Sequence, residues 1–247
     1  MAIDYSKYKM IFDYHTHTTF SHGKGSIEDN VKAAIDCGLE EIAITDHGPG
    51  HLTYGIKRSA VSTMRKEIQE LNEKYNGKIK VYLGVEANVI SAGNCLDISH
   101  EEAEEYDFII AGYHYGVTSG YCISNWLDAH KLWIGDKGKL KKRNTEMTVK
   151  SIYENNLKIL THPGDKGLFD MDEIARACQD TGTLMEISTW HPHLTVEEIK
   201  ISSKYDVNFV ISSDAHTPDR VGSFHGGIDR ALAAGLDISR IVNIRGV

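Results

Sequence analysis

Short apolar runs rich in β-branched residues alternate along the chain with longer amphipathic segments. Seven of the short runs predict strands, at residues 10–14, 41–45, 80–85, 108–112, 158–161, 184–188 and 208–212, with residues 241–244 as a candidate eighth. Apolar residues three and four apart predict helices at residues 27–37, 59–74, 145–155, 170–180, 196–203 and 227–234. This alternation is typical of βαβ units that build a parallel sheet.

Two segments interrupt the alternation. Residues 46–58 are rich in glycine and histidine, and residues 115–143 hold four large aromatic side chains. Loops of this length in a compact domain are usually either functional or disordered, and the aromatic content argues against disorder. No repeat and no linker composition stands out, so we expect one domain over residues 1–247.

Ligand-type side chains stand at or just after the ends of most predicted strands. The segments are DYHTH (13–17), TDH (45–47), GVE (84–86), GYH (112–114), THPG (161–164) and SDAH (213–216). Neighbouring strands are roughly 4.8 Å apart, so seven strands in a flat sheet would spread these groups over about 29 Å. Closing the sheet into an α/β barrel of the TIM type brings the carboxyl ends of the strands together at one mouth.

Nine residues of this pattern are candidate metal ligands: His15, His17, His22, His47, Glu86, His114, His162, Asp214 and His216. Two residues apart on a strand, His15 and His17 point to the same side, and Asp214 and His216 repeat that spacing. A single buried histidine is more often a hydrogen-bonded core residue, but burial of nine ionisable groups without a cation would be costly. Imidazole ligands favour Zn²⁺, with Mn²⁺ and Fe²⁺ as alternatives, over Mg²⁺ and Ca²⁺.

Composition narrows the class of protein. The formal net charge of −8 argues against nucleic acid as a partner, and the one basic stretch, residues 137–143, is expected to be a solvated face. The four cysteines lack C-x-x-C spacing, which predicts free thiols in a reducing compartment. No apolar run approaches the roughly 18 residues that span a membrane. The N-terminus lacks the features of a secretory signal, so we expect a cytoplasmic protein without a membrane partner.

The order H-x-H, T-D-H, G-x-E, G-x-H, H-P-G and S-D-x-H resembles that of the PHP (polymerase and histidinol phosphatase) family over residues 13–216. The strings AITDHGP (43–49), GVEAN (84–88) and IIAGYH (109–114) are similar to its stand-alone bacterial phosphatases with three zinc ions. The resemblance implies a distorted (β/α)₇ barrel with three divalent ions at the C-terminal ends of the strands. It implies a first ion on His15, His17, Glu86 and Asp214, a second on Glu86, His114 and His162, and a third on His22, His47 and His216.

The expected metal site predicts the type of reaction. Three divalent ions carry +6, of which Glu86 and Asp214 cancel two, so the mouth would hold about +4 and suit a phosphate dianion. We expect hydrolysis of a phosphate monoester of a small metabolite by a metal-bridging hydroxide, with Glu86, Asp214 and His216 as catalytic residues. Histidinol phosphate, a phosphosugar, a nucleotide and a phosphoprotein are all open as substrates. A 3′–5′ exonuclease module and a non-catalytic metal-binding scaffold are the alternatives.

Five further residues receive weaker expectations. Arg220 is predicted to bind phosphate, and His191 and His193 are predicted either to contact substrate or to face solvent. Glu186 is expected to orient a ligand histidine or to lie on the polar rim, and Asp46 to support the site without binding metal. The sequence predicts neither the substrate nor the oligomeric state.

Overall fold

The computed structural model describes residues 3–246, so residues 1, 2 and 247 of the expected single domain lie outside the described residues. Its strands are β1 Tyr8–Met10, β2 Phe12–Asp13, β3 Glu41–Ile44, β4 Lys80–Asn88, β5 Phe108–Gly112, β6 Leu157–Leu160, β7 Leu184–Ser188, β8 Phe209–Ser212 and β9 Ile244–Gly246. Strands β2 to β8 pair in parallel and in chain order within one sheet. A parallel bridge between Thr16 and Ala215 joins its two edges, so the sheet is nearly closed, which confirms the predicted barrel.

Helices cover the outside of the barrel. They are α1 Ile27–Asp36, α2 Val61–Lys74, α3 His100–Ala103, α4 Cys122–Ala129, α5 Lys137–Glu154, α6 Met171–Thr181, α7 Val196–Ser202 and α8 His225–Ala234. Helices α1 and α7 begin with capping boxes, in which Ser26 pairs with Asp29 and Thr195 with Glu198. Each box satisfies backbone N–H groups that have no partner inside the helix, which sets where the helix begins.

The barrel has an inner and an outer apolar layer. Tyr14, Ala43, Ile110, Ile159 and Val210 fill the interior from different strands. The opposite faces of the strands pack against the helices, so β8 is buried at all four positions. Strands covered on both faces read as continuous apolar runs, and the change to histidines and acids marks the mouth of the barrel.

Two strand predictions need correction. The expected strand at residues 10–14 is divided, because β1 turns away to pair antiparallel with β9 and only β2 enters the barrel. The candidate eighth strand at residues 241–244 is wrong as a barrel strand. Ile244 pairs with Met10 in that antiparallel ribbon, and Ile241 forms only an isolated bridge to Phe209. Residues 241–243 touch both edges of the barrel by single backbone bonds, from Val242 N–H to the Phe209 carbonyl and from Ile11 N–H to the Asn243 carbonyl, without forming a strand.

The expected loop at residues 115–143 is also wrong in part, because it contains α4 and the first turns of α5. Residues 46–58 do lack helix and strand up to the 3₁₀ turn at Arg58–Ala60. The basic stretch is the exposed start of α5, where Lys137 pairs with Asp128 at 2.6 Å and Lys141 with Asp170 at 2.7 Å. Among the described residues, no helix is long and apolar enough to cross a membrane.

Candidate metal centre

Glu86 lies at the centre of the C-terminal mouth of the barrel, fully buried near the end of β4. Its Oε1 lies 3.2 Å from His15 Nε2, and its Oε2 lies 2.9 Å from His47 Nδ1. These contacts reach residues from two other strand ends. The closed sheet therefore brings side chains from strand ends that are distant in sequence into one cluster.

The first group of ligand atoms surrounds the H-x-H pair. His15 Nε2 and His17 Nε2 are 3.1 Å apart, and His17 Nε2 lies 3.2 Å from Asp214 Oδ1. His15, His17 and Glu86 each direct a ligand atom to within 4.8 Å of the others. Two ligands held about 2.0–2.1 Å from one tetrahedral ion are about 3.3 Å apart, so these spacings fit ligands of a shared ion.

A second group lies on the other side of Glu86. Its Oε1 is 3.3 Å from His114 Nε2 and 3.0 Å from His162 Nε2. The two histidine nitrogens are themselves 3.3 Å apart. This triangle also has the spacing of ligands on one ion, and Glu86 belongs to both groups, which suits a bridging carboxylate.

The third corner differs from the grouping that the resemblance implied. The ligand atoms within 4.8 Å of one another there belong to His17, His47 and His216. His22 adds its ring to the corner, with its centroid 4.9 Å from that of His47 and 4.2 Å from that of His216. All nine candidate ligands are thus brought together, and His17 stands between the first and third groups.

Protonation within the cluster favours cation binding. Burial holds the pKa of His17 and His114 well below the usual value, so both rings are neutral and present a lone pair. Burial acts to raise the pKa of Glu86, but the surrounding histidines outweigh it and hold the carboxyl well below its usual range. Burial opposes charge on His15, yet Glu86, Asp214 and Glu186 raise its pKa well above the usual value. The buried carboxylates therefore require positive charge beside them.

Hydrogen bonds behind the ligands hold their rings in place. His15 Nδ1 lies 2.7 Å from Glu186 Oε1, and the other oxygen of Glu186 accepts the backbone N–H of His162 at 2.7 Å. His114 Nδ1 lies 2.9 Å from Asn88 Oδ1. A ligand histidine usually gives its second ring N–H to such an acceptor, which turns the other nitrogen toward the metal. The geometry places Glu186 behind the ligands and not on the rim.

Asp46 has a comparable supporting position. Its carboxylate accepts the backbone N–H of Thr18 at 2.7 Å and the Thr18 hydroxyl at 2.6 Å, and it also contacts the Ser21 hydroxyl. These bonds tie the turn after His17 to the end of β3. Asp46 therefore shapes the loop that carries His22 and is not directed into the cage.

Several buried polar atoms of the cage lack a hydrogen-bond partner. They include Nδ1 of His17, His22, His47 and His162 and Oε2 of Glu86. His47 Nδ1 and Glu86 Oε2 are only 2.9 Å apart without hydrogen-bond alignment, as two acceptors converging on one cation would be. The positive φ angles of His162 (28°) and Asp214 (49°) add backbone strain of about 1–3 kcal/mol each, a cost typical of functional sites. The donor set and its geometry fit divalent metal ions.

The cage opens into a cavity of about 210 Å³. Residues that the sequence did not predict line its walls: His51, Tyr54, Tyr115, Lys166 and Trp190. Two larger depressions, of about 870 and 710 Å³, lie elsewhere and are lined by none of the nine ligands. Because the chemical groups converge on the smaller cavity, we take it as the candidate active site.

The weaker sequence predictions have different outcomes. His191 lines the cavity, and its Nε2 lies 3.3 Å from Asp214 Oδ2. Burial opposes charge on this ring, but Asp165 and Asp214 raise its pKa to about 9. His193 is not brought into the cavity, because its Nδ1 turns to Glu198 at 2.9 Å. Arg220 lies one layer behind the wall, with its guanidinium 5.0 Å from the centre of the Trp190 ring.

Comparison with known proteins identifies the family. The model of the PHP domain matches residues 13–189, a span that contains seven of the nine candidate ligands. This chain belongs to the PHP family. The resemblance inferred from the sequence is thereby confirmed, and Asp214 and His216 extend the cage beyond the matched span.

Individual relatives of this PHP domain differ in length and in the activity for which they are named. A probable phosphatase of Acetivibrio thermocellus is 26% identical over 226 residues, 87% of this chain and 83% of the relative. The DNA polymerase/3′-5′ exonuclease PolX of Bacillus subtilis is 24% identical over 94% of this chain but only 39% of its own length. The crystal structure of histidinol phosphate phosphatase from Lactococcus lactis, complexed with zinc, L-histidinol and phosphate, superposes with a TM-score of 0.64 at 18% identity. The superposition covers 92% of this chain and 95% of that one, which supports the fold.

Proposed function

We propose that this protein is a single-domain phosphatase that hydrolyses a phosphate monoester of a small metabolite. It would use three divalent ions, for which the imidazole-rich ligand set favours Zn²⁺. The coarser class, a metal-dependent phosphoesterase of the PHP family, follows from the family match and from the clusters of ligand atoms. The observation that carries the proposal is the convergence of four imidazoles on the two oxygens of Glu86.

The charge of the site supports a phosphate substrate. When bound, divalent ions supply Lewis acidity to a phosphoryl group and a water nucleophile at neutral pH. Glu86 and Asp214 would hold those ions together with neutral imidazoles, which leaves the mouth cationic. A phosphate monoester dianion complements that charge, whereas a neutral ester does not.

The residues of this chain have distinct roles in the proposal. Glu86 would bridge two ions and keep them close enough to act on one phosphoryl group. Asp214 and His216 would position the ions on the opposite side, where the carboxylate of Asp214 also contacts His17. Lys166, 27% exposed at the cavity wall, is the cation best placed to meet an incoming phosphate.

Cavity size supports a small substrate. A volume of about 210 Å³ holds a phosphate and a compact organic group, and the exposed rings of Tyr54 and Trp190 border it. Arg220 stacks on Trp190 and would stabilise that wall, so a direct phosphate contact is no longer the role we propose for it. Single-stranded DNA requires a longer cationic groove, and the cavity lining contributes only Lys166 among lysines and arginines of the described residues.

A substrate screen with metal analysis of the same sample tests the proposal. We expect release of inorganic phosphate from p-nitrophenyl phosphate and from a subset of a metabolite library, and no digestion of single-stranded DNA. Asp214→Asn protein, purified in parallel, serves as the control for contaminating phosphatases. Nuclease activity would favour the exonuclease alternative. Full metal occupancy with no turnover on the whole panel would favour the non-catalytic scaffold.

A further inference from the structure

His191 holds a position that neither the proposed ligand set nor the barrel packing explains. It lies in the loop of residues 189–194, which follows β7. Only 20% of its side chain is exposed, and its ring centroid lies 4.7 Å from that of His162. Its Nε2 faces Asp214 Oδ2 at 3.3 Å. Nε2 of His191 therefore faces the cage at the distance from Asp214 that two ligands of one ion have.

The opposite side of the ring carries the acceptor that a ligand histidine requires. His191 Nδ1 lies 3.1 Å from Asp165 Oδ2. His15 and His114 also turn Nδ1 to an acceptor, Glu186 or Asn88, and Nε2 into the cage. Their contacts are aligned hydrogen bonds, whereas His191 and Asp165 form a charge pair without that alignment. With Nδ1 facing Asp165, an ion on Nε2 would replace the proton that Nε2 otherwise carries between the two carboxylates.

Asp165 lies on the same turn as His162. Gly164 has a positive φ of 100°, and the backbone N–H of Asp165 donates to the carbonyl of His162 at 3.1 Å. The H-P-G-D turn thus places a ligand and the acceptor for a second histidine three residues apart. Lys166 Nζ lies 3.0 Å from the same oxygen of Asp165, which keeps this carboxylate charged without removing its contact to His191.

We propose that His191 is a tenth metal ligand, which coordinates the ion held by His162, and that Asp165 is the residue that orients it. His162, His191 and Asp214 each offer a ligand atom within 4.8 Å of the others, as the three other groups of the cage do. The inference rests on the metal centre proposed above and adds a ligand that the family resemblance did not imply.

Metal affinity measured without substrate tests this inference. His191→Ala, Asp165→Asn and the wild-type protein are titrated with Zn²⁺ against a competing chelator, and the visible spectrum of the Co²⁺-loaded protein reports the donor set. We expect Asp165→Asn to weaken one ion by about 10- to 100-fold, the usual effect of removing an orienting partner. His191→Ala should weaken that ion at least as much and should change the Co²⁺ spectrum.

His193→Ala is the matched control, because His193 lies in the same loop and also pairs with a carboxylate, but outside the cavity. It should leave ion affinities and the Co²⁺ spectrum unchanged. Wild-type affinities and spectrum in a folded His191→Ala protein, with a raised KM for phosphate esters, would make His191 a substrate contact and overturn the inference. A wild-type protein that binds no ions would overturn the metal centre itself.

Discussion

Replacing Glu186 by glutamine tests how the cage is held in place. The carboxylate is fully buried and serves two donors, the Nδ1 of His15 and the backbone N–H of His162, each at 2.7 Å. Glutamine keeps the shape but replaces one acceptor oxygen with an N–H₂ donor. Since the His162 N–H belongs to the backbone and cannot turn away, we expect the remaining oxygen to stay with it and His15 to lose its acceptor.

The size of the effect follows from these contacts. Leaving a buried donor without a partner costs about 1–3 kcal/mol of stability. Loss of an orienting acceptor behind a ligand histidine lowers metal affinity by about 10- to 100-fold. We therefore expect Glu186→Gln to weaken the ion held by His15 by that factor and to lower the rate of hydrolysis at limiting Zn²⁺, with recovery when Zn²⁺ is raised.

The assay is a chelator competition with Zn²⁺, followed by p-nitrophenyl phosphate hydrolysis at several Zn²⁺ concentrations. Glu198→Gln is the control, because the carboxylate of Glu198 also pairs with a histidine, His193, but outside the cavity. It should keep wild-type ion affinities. Unchanged affinity in Glu186→Gln, or an equal loss in Glu198→Gln, would refute the assigned role of Glu186.

Three other outcomes follow from the site. His17→Ala or Asp214→Asn should lower phosphate release by several orders of magnitude with an unchanged far-UV circular dichroism spectrum, and a near wild-type rate in either would contradict the proposal. Each ion at about 1,000 times its Kd adds about 4.1 kcal/mol to stability, so calorimetry should show a fall in Tm of roughly 8–16 °C for each ion removed by a chelator. An unchanged Tm would argue against bound ions. Lys166→Ala should raise KM more than it lowers kcat in steady-state kinetics, and the reverse pattern would remove Lys166 from substrate binding.

The barrel and the convergence of its candidate ligands could be predicted because both depend on simple geometry. Apolar runs that alternate with helices require a parallel sheet, and a compact cluster drawn from β2 and β8 requires that sheet to close. Glu186 could also be placed, since its neighbours Met185 and Ile187 are apolar and alternation on β7 turns it to the side opposite theirs.

Helix α4 and the first turns of α5 could not be predicted from apolar spacing, because polar residues form much of the face they share. The amide of Asn144 on α5 donates to Asn125 on α4 at 2.8 Å and to the carbonyl of Leu168 at 3.0 Å. Thr145 and Thr148 are buried on the same helix. A helix packed through amide and hydroxyl groups shows no apolar stripe, so its periodicity is hidden in the sequence.

The loop residues of the site were missed for a different reason. Asp165, Lys166 and Trp190 follow strand ends, but their direction depends on turns whose course the residue types do not determine. The positive φ of Lys166 (59°) is one such feature, which no pattern of apolar residues indicates. Alternation along a strand predicts where its side chains point, whereas the direction of Asp165, Lys166 and Trp190 requires the structure.

Anomalous diffraction at the zinc edge, from crystals of the Zn²⁺-loaded protein, would show whether the cage holds ions. We expect three anomalous peaks within the cage, two of them beside Glu86, with ligand atoms about 2.0–2.2 Å from each ion. No anomalous peak between these side chains, at full Zn²⁺ concentration and with the barrel intact, would contradict the proposed metal centre.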